Sequence, residues 1–468
     1  MKWELDITLA RRTSALGEQR VDTLTIFKLA GPLMLNSAIQ SVLNLTDTWF
    51  ISRLSTQATA AMASIYWPIL CCILFFGGVA FSVQTFASQA MGAGCYRRAA
   101  YAAWSGIYAS VSTIPIFAFV ALTGSYWISL LPIESAIQHY AVAYWVPRLL
   151  VSAPLGIMTL SITCFFSSVN YVRYTLIVSI VTALANIPFN QYFMFDCHMG
   201  IAGSAWGTVA AQVVGLLLAL ALFFNHKLRD VFATHLTYRR PSIRKPWQLG
   251  LPMGFGMTAD LIGLAIFQWI LVSTSALAGA ASQIIMMLSS IAYMPGIGLA
   301  IAGTTFVGRA LGAQEPAWAR VIGTRIIVIC VAFMGIIGLI LGLLSPLILP
   351  KFIATQDPNG PALLSLMATL IWIAAAYQFM DGFNLGSAFC LRGAQDAVVP
   401  AIITAVSSFG IWMPLTAYFT LPSLHAFRVW SVAGMGLGAI GGWWATFVYV
   451  FILGSGLFLR WRYLSQRF

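Results

Sequence analysis

Three acidic residues, Asp47, Asp260 and Asp381, lie inside long apolar segments of a chain that is otherwise poor in charge. The 468 residues are 60% hydrophobic and 8% charged, and the mean hydropathy is +0.85. A soluble domain averages about 25% charged residues, so this composition predicts a protein that lies in lipid. An Asp at the centre of a membrane helix costs roughly 2.5–3.5 kcal/mol, and such residues typically mark the pathway of an ion or a proton.

Two of these acids have the spacing and depth of a shared site. Tyr377 and Asp381 are four residues apart, hence on one helix face, and Asn384 extends that face. Asp260 and Asp381 each lie roughly 16–23 Å along a helix from the nearest basic flank. In a dry site, two carboxylates must share a proton, hold a cation or pair with a base. No Lys or Arg lies at that depth in either segment, so a proton or Na⁺ is the expected occupant. The alternative is two protonated carboxyl groups that bond to the backbone.

The first apolar segment carries a polar stripe. Asn36, Gln40, Asn44 and Asp47 follow one another at spacings of 4, 4 and 3 residues, which places them on one side of a helix. Such a stripe lines water or a partner helix. The alternative for Asp47 is a bond to the backbone at the helix end or to Arg53.

Segments long enough to cross a membrane recur along the chain. A helix needs about 20 residues to cross ~30 Å of hydrocarbon, and continuous apolar runs favour helices over a barrel. We therefore predict an all-α integral membrane protein of twelve spans. They cover residues 26–51, 58–88, 99–130, 138–168, 173–195, 200–224, 247–276, 280–308, 321–349, 361–391, 398–420 and 436–459.

The net charge of +12 reports orientation in the membrane rather than nucleic-acid binding. Basic residues concentrate at both termini and in alternate loops, a pattern that predicts a multi-pass protein of the plasma (inner) membrane with both termini cytoplasmic. We expect no nucleic-acid partner. These basic residues are Lys2, Arg11, Arg12, Arg20, Lys28, Arg97, Arg98, Arg173, Lys227, Arg229, Arg239, Arg240, Arg244, Lys245, Arg309, Arg320, Arg325, Arg392, Arg460, Arg462 and Arg467.

The sequence offers no catalytic constellation. The spans contain no P-loop, no His/Cys cluster and no Ser/His/Asp arrangement, and the seven cysteines show neither metal-ligand spacing nor a disulfide framework. We therefore expect no enzyme activity, and no cofactor apart from a coupling Na⁺ or H⁺.

The chain repeats itself. Because the order of the repeated segments is kept and six spans is an even number, the two halves insert in parallel, related by a pseudo-twofold axis along the membrane normal. We predict an N-lobe of residues 1–235 and a C-lobe of residues 236–468 around a central cleft, in a monomer. The matching segments are 29–32 with 249–252, 78–93 with 298–313, 188–193 with 414–419, and 200–208 with 438–446.

These motifs resemble the multidrug and toxic compound extrusion (MATE) family, in its NorM-like branch. Residues 29–32 and 44–54 are similar to the family's first helix, with its D-T-x-F-x-x-x-L signature. Residues 90–94, 310–314 and 391–396 are similar to its turns after helices 2, 8 and 10. The resemblance covers about residues 24–460 and implies efflux of organic cations and other drugs, driven by inward Na⁺ or H⁺.

The resemblance also implies roles for individual residues. Asp260, Asp381 and Tyr377 match the family's cation site, with Asp260 and Asp381 as ligands of Na⁺. The family usually has Glu where this chain has Asp260, which is shorter by one methylene group. Asp47 matches an Asp that the family uses in proton-linked transport.

Further polar residues match the family's cleft. Asn186, Asn190 and Thr208 match a polar group of the N-lobe in which the second residue is an acid in archaeal relatives, and its replacement here favours the C-lobe as the principal coupling site. Gln283 matches a polar residue near the substrate, and a helix–helix hydrogen bond is an equally open explanation. The full predicted polar lining of the cleft is Asn36, Gln40, Asn44, Asn186, Asn190, Thr208, Gln283 and Asn384.

The leading hypothesis is thus a secondary antiporter that exports amphipathic, often cationic, small molecules across the lipid bilayer. The alternative is a flippase for lipid-linked precursors, a function found in the same superfamily. Those proteins tend toward an Arg/Lys-lined cavity, whereas this chain has acids inside its spans.

Overall fold

The computed structural model describes residues 3–6, 8–14, 18–129, 135–235, 241–353, 359–426 and 430–467. In this part of the chain, twelve helical segments are long and apolar enough to cross a membrane, as predicted. We number them α1 to α12 in chain order. They are Thr23–Ser52, Gln57–Gly92, Tyr96–Leu122, Ile137–Ser168, Val172–Asp196, Gly200–Phe223, Arg244–Thr274, Ala276–Gly312, Pro316–Phe352, Gly360–Gly393, Val398–Thr420 and Gly438–Ser465.

The sequence repeat is visible in how equivalent helices begin. Ser55 precedes α2, and its side chain accepts a hydrogen bond from the Ala58 N–H at 3.0 Å. Ser275 precedes α8 and accepts from the Ala278 N–H at the same distance. A Ser at this position satisfies an N–H that the first helical turn leaves unpaired. The second span of each half therefore begins with the same cap.

Pairs of repeat-equivalent contacts relate the lobes by a pseudo-twofold axis. A Cβ on Gly92 of α2 would overlap the carbonyl oxygen of Arg309 in α8, and a Cβ on Gly312 of α8 would overlap that of Gln89 in α2. Only glycine allows two helix backbones to approach so closely. The glycine pattern that revealed the repeat thus forms the contact between its two copies.

The lobes touch near one face of the molecule and have separate cores near the other. Because the number of spans is even, the start of α1 and the end of α12 lie at one face, which we call the terminal face; the opposite face is the far face. In the terminal half, α1 packs against α8, and Leu33, Leu299 and Phe306 share one buried cluster. In the far half, residues such as Phe50 and Ile65 belong to a core of N-lobe residues. The terminal half therefore holds a buried cluster shared by both lobes, whereas the far half of the N-lobe has a core of its own.

The structure also contains short strands, and the sequence analysis did not predict them. The strands β1 (Trp3–Asp6), β2 (Arg11–Ser14) and β3 (Gln19–Val21) form an antiparallel sheet. The strands β4 (Ser423–Ala426) and β5 (Trp430–Ala433) pair between α11 and α12. Two short helices, Gly124–Ser129 and His226–Phe232, connect spans. The lobe boundary after residue 235 stays a prediction, since residues 236–240 lie outside the described part.

The N-terminal sheet is tied to the C-lobe. The indole N–H of Trp318 donates to the carbonyl oxygen of Leu9 at 2.9 Å, and Arg11 forms an ion pair with Glu315. We call the described residues between 3 and 21 the N-terminal strap. The strap precedes α1 in sequence but crosses to the turn between α8 and α9, so it joins the two lobes at the terminal face.

Candidate functional site

The C-lobe site is built around Asp381, which is 2% exposed in α10. The Nδ2 group of Asn384 donates to its Oδ1 at 2.9 Å. The hydroxyl of Tyr377, one turn earlier, lies 3.5 Å from its Oδ2, which is a long hydrogen bond. The Oδ2 atom therefore retains capacity to bind a proton or a cation.

Asp260 enters from α7 and is oriented by α12. The hydroxyl of Tyr449 donates to its Oδ1 at 2.5 Å. The same hydroxyl lies 3.0 Å from the Ser408 hydroxyl, and the Tyr449 ring stacks on Trp412 with centroids 4.4 Å apart. Sequence reasoning missed Tyr449; the available signal was a tyrosine in the middle of an apolar helix, where its hydroxyl needs a partner.

The two C-lobe carboxyl groups lie near each other and lack a basic partner. They are close enough for their charges to interact with each other, and each also interacts electrostatically with the hydroxyl group of Tyr293 in α8. Among the ion pairs of the described residues, none involves Asp260 or Asp381. The described part also contains no group of three His, Cys, Asp or Glu residues that could hold a metal ion together, so a cation here would rely on two carboxylates with hydroxyl and amide oxygens. Such hard oxygen ligands suit Na⁺ or a proton.

The N-lobe holds a second polar cluster, around Asp47 of α1. This residue is 2% exposed, and its carboxylate accepts from Asn190 Nδ2 at 2.7 Å and from Thr208 Oγ1 at 3.3 Å. Asn190 also donates to Asn186 Oδ1 at 3.0 Å. The structure thus brings Asp47 together with the polar group of Asn186, Asn190 and Thr208, to which the sequence did not connect it. Arg53 does not form an ion pair with Asp47 in the described part of the chain; its guanidinium lies 4.1 Å from the centroid of the Trp49 ring.

A basic residue that sequence analysis left without a role faces Asp47. Arg148 of α4 lines a cavity of about 40 Å³ together with Asp47, Tyr66 and Tyr144. It is the first residue of a π-helical turn, Arg148–Ser152, within α4. Insertions of this kind in α-helices often occur at functional sites. An arginine inside a predicted span was the signal for this residue.

The remaining predicted cleft residues stand apart from these clusters. The Asn36 side-chain oxygen is buried without a hydrogen-bond partner in the described structure, and Gln40 and Gln283 are exposed. Within the described residues, no hydrogen bond joins any of the three to Asp47, Asp260 or Asp381. The side chain of Asn44 lies outside the described part. Among the described side chains of the α1 stripe, Asp47 is therefore the one that hydrogen bonds connect to a carboxylate cluster.

A duplicated bundle with a carboxylate cluster in each half can be compared with known proteins. The MatE family model matches residues 32–192 and 252–418, one match in each half. This chain belongs to the MatE family. The resemblance seen in its sequence motifs is confirmed, and the unmatched residues 193–251 include the end of α5, α6 and the connection to α7.

Individual relatives match nearly the whole length of this chain. It is 28% identical over 447 residues to "Multidrug resistance protein NorM" of Burkholderia vietnamiensis, covering 92% of this chain and 91% of that one. Its fold is similar to "Outward-facing conformation of a multidrug resistance MATE family transporter of the MOP superfamily", with a TM-score of 0.80, 16% identity and coverage of 94% and 95%. It is also similar to "Crystal structure of MATE in the straight conformation", with a TM-score of 0.80, 17% identity and coverage of 94% and 96%.

Proposed function

We propose that this protein is a secondary multidrug efflux antiporter that exports amphipathic, cationic compounds in exchange for inward Na⁺ or H⁺. The observation that carries the proposal is the pair Asp260 and Asp381, two neighbouring carboxyl groups inside the membrane without an ion-paired base in the described chain. Family membership and the NorM relative support the multidrug function.

The carboxyl pair supports coupling by competition. In a site of low dielectric constant, two carboxylates cannot both stay charged without compensation. A proton, a Na⁺ ion or a cationic drug can each supply that compensation, and the pair cannot satisfy all of them at once. Ion entry therefore releases the drug, and drug binding releases the ion. No cofactor apart from the coupling ion takes part in this exchange.

The lobe contacts support alternating access. We assign the terminal face to the cytoplasm and the far face to the outside of the plasma (inner) membrane, following the distribution of basic residues. We infer that the glycine contacts and the strap close the cytoplasmic face in this state, and that the cleft opens outward. Separation of the lobes at those contacts would open the cleft inward, and a monomer contains all the parts that this motion needs.

The alternative, a flippase for lipid-linked precursors, finds less support. A pyrophosphate headgroup requires basic residues along the cleft, and the C-lobe site offers two carboxylates. The arginine of the N-lobe, Arg148, lines the same cavity as Asp47, so the negative charge of Asp47 compensates its positive charge.

The proposal is tested by transport in proteoliposomes that contain the purified protein and a fluorescent organic cation. An inward Na⁺ gradient and an inward H⁺ gradient are imposed in separate reactions, with an ionophore that collapses the gradient as the control. Efflux that depends on one of the gradients supports antiport and identifies the ion. Equal efflux with and without each gradient contradicts it.

A further inference from the structure

The N-lobe cavity contains one acid and one base on different helices. Asp47 of α1 and Arg148 of α4 line the same space of about 40 Å³. No ion pair joins them directly in the described structure; Arg148 Nη1 lies instead 3.4 Å from Ser152 Oγ of its own helix. A buried water needs roughly 10–15 Å³ of such space, so the gap accommodates water between the two charges.

The groups bound to Asp47 suit an anion rather than a cation. Asn190 directs its Nδ2 group at the carboxylate, and Thr208 directs its hydroxyl at it. The Oδ1 atom of Asn190 is buried and has no hydrogen-bond partner in the described chain, which leaves one uncharged oxygen near the carboxylate. A hard cation such as Na⁺ requires several converging oxygens. The donors around Asp47 stabilise its charged form without one.

The charges that face this cavity balance one another. The titratable or charged side chains that line it are Asp47 from α1, Tyr66 from α2, and Tyr144 and Arg148 from α4. Among the described residues of α5 and α6, those hydrogen-bonded to Asp47 or to its partner Asn190 are the uncharged Asn190, Asn186 and Thr208. Tyrosine is neutral at physiological pH. With Asp47 ionised and Arg148 protonated, the cavity is neutral with no added ion.

We propose that Arg148 is a tethered counter-cation that neutralises Asp47, so that the N-lobe binds no coupling cation and the exchanged cation visits only Asp260 and Asp381. This inference rests on the proposed antiport function. Arg148 is a positioning residue, since it acts through Asp47 and does not touch the transported molecules. It makes the repeat-related lobes electrostatically unequal: one carries a fixed positive charge, and the other accepts a movable one.

The proposal predicts compensation between two substitutions. Asp47→Asn leaves the arginine without its partner, and Arg148→Gln leaves the aspartate without its partner; each exposes an unpaired charge inside the membrane. The double variant removes both charges and restores neutrality. Arg148→Lys keeps the charge and should retain most of the wild-type behaviour.

A double-mutant cycle tests this on the full chain with two readouts. The first is the thermal midpoint of the purified protein in detergent, which needs no transport. We expect both single variants to melt below the wild type, and the double variant to recover most of the loss. The second readout is ion-driven efflux. We expect its rate to fall roughly tenfold in each single variant, since a tenfold change corresponds to the loss of one interaction of modest strength. In the double variant the rate should recover to within about threefold of wild type. Arg173→Gln, which removes an exposed positive charge near the start of α5, is the matched control.

The outcomes separate the proposals. Recovery in the double variant and retention in Arg148→Lys support the counter-cation. A double variant no better than Asp47→Asn in both readouts overturns it, because Asp47 would then act by itself; so would an Arg148→Gln variant that matches Arg173→Gln. If wild-type protein shows no gradient-driven efflux, the antiport proposal fails, and the thermal cycle alone decides whether Arg148 compensates Asp47.

Discussion

The hydroxyl of Tyr449 donates to Oδ1 of Asp260 at 2.5 Å and so ties a carboxylate on α7 to α12. Ser408 and the stacked ring of Trp412, both from α11, hold the tyrosine in place. The indole N–H of Trp412 donates in turn to Thr446 at 3.0 Å. Three helices of the C-lobe thus determine the direction in which one side of the carboxyl pair points.

This arrangement predicts that Tyr449→Phe weakens binding of the coupling ion. The ring can still stack on Trp412, but the hydrogen bond to Asp260 is lost. Loss of a partner that orients an ion ligand typically changes ion affinity about 10–100-fold. The half-saturating concentration of the ion that drives efflux should therefore rise at least tenfold, with a smaller change in maximal rate. Tyr463→Phe, at an exposed position near the end of α12, is the control; identical ion dependence in both variants would argue against the role.

The close approach of α2 and α7 predicts a strong difference between two adjacent glycines. A Cβ on Gly78 would overlap the backbone of Gly250, whereas a Cβ on Gly77 would meet no atom within 4 Å. We expect Gly78→Ala to prevent full closure of the terminal face, and Gly77→Ala to behave as the wild type. The measurement is the rate at which a membrane-impermeant thiol reagent labels a cysteine placed at the terminal end of the cleft. Equal labelling rates in the two alanine variants would show that the contact does not hold the face closed.

A fully buried arginine links three segments at the same face. Arg309 of α8 donates to the Ser168 carbonyl oxygen at 2.7 and 3.2 Å and to the Thr8 carbonyl oxygen at 3.3 Å. Each hydrogen bond from a charged group contributes about 1.5–3 kcal/mol. Gln is shorter and uncharged and can replace few of the three bonds, so Arg309→Gln should lower the free energy of unfolding by at least about 2 kcal/mol, seen as a lower thermal midpoint. Arg320→Gln removes an exposed charge from α9 and should leave the midpoint within error of the wild type; a similar midpoint in the Arg309 variant would contradict the assignment.

The carboxylate that begins α1 predicts a pH dependence of the strap. Asp22 accepts from the Thr25 N–H at 3.1 Å and forms an ion pair with Arg12 at 2.8 Å. Desolvation opposes its charged form, but the hydrogen bonds from Thr25 and the charge of Arg12 outweigh that effect and lower the pKa of Asp22. A lowered folded-state pKa stabilises the protein fully above the ordinary Asp value of about 3.9, and this contribution is lost as pH falls through the folded pKa.

Asp22→Asn should accordingly destabilise the strap at neutral pH and have little effect at strongly acidic pH. Hydrogen exchange of the amides in β2 and β3 measures the opening of the strap directly. Glu18→Gln serves as the control, because Glu18 is exposed and its ion pair with Arg20 is long, at 3.6 Å. A constant difference between Asp22→Asn and wild type from neutral to acidic pH would refute the linkage.

The sequence predicted the helices because hydrocarbon imposes length and composition on every span. The duplication was also readable, since glycines such as Gly92 and Gly312 must be kept wherever the two copies touch. The strands of the N-terminal strap, in contrast, were not predicted. The strap folds through long-range contacts such as Leu9 with Trp318, which no local pattern encodes.

The sites were predictable only where one helix carries several of their residues. Spacing alone placed Tyr377, Asp381 and Asn384 on one face, because a single helix carries them. Tyr449 and Arg148 were missed as partners because their roles depend on which helices pack together. Asn190 and Thr208 were found through the family resemblance, and their shared contact with Asp47 required the fold.

The most direct test of the central claim compares Asp260→Asn and Asp381→Asn with wild type in ion-driven efflux of a fluorescent cation from proteoliposomes. Asparagine keeps the size of each side chain and removes its charge. The account predicts that both variants insert normally and lose gradient-driven efflux, at least tenfold below wild type, because the exchanged cation loses its binding site. Wild-type efflux in both variants would show that the coupling cation binds elsewhere.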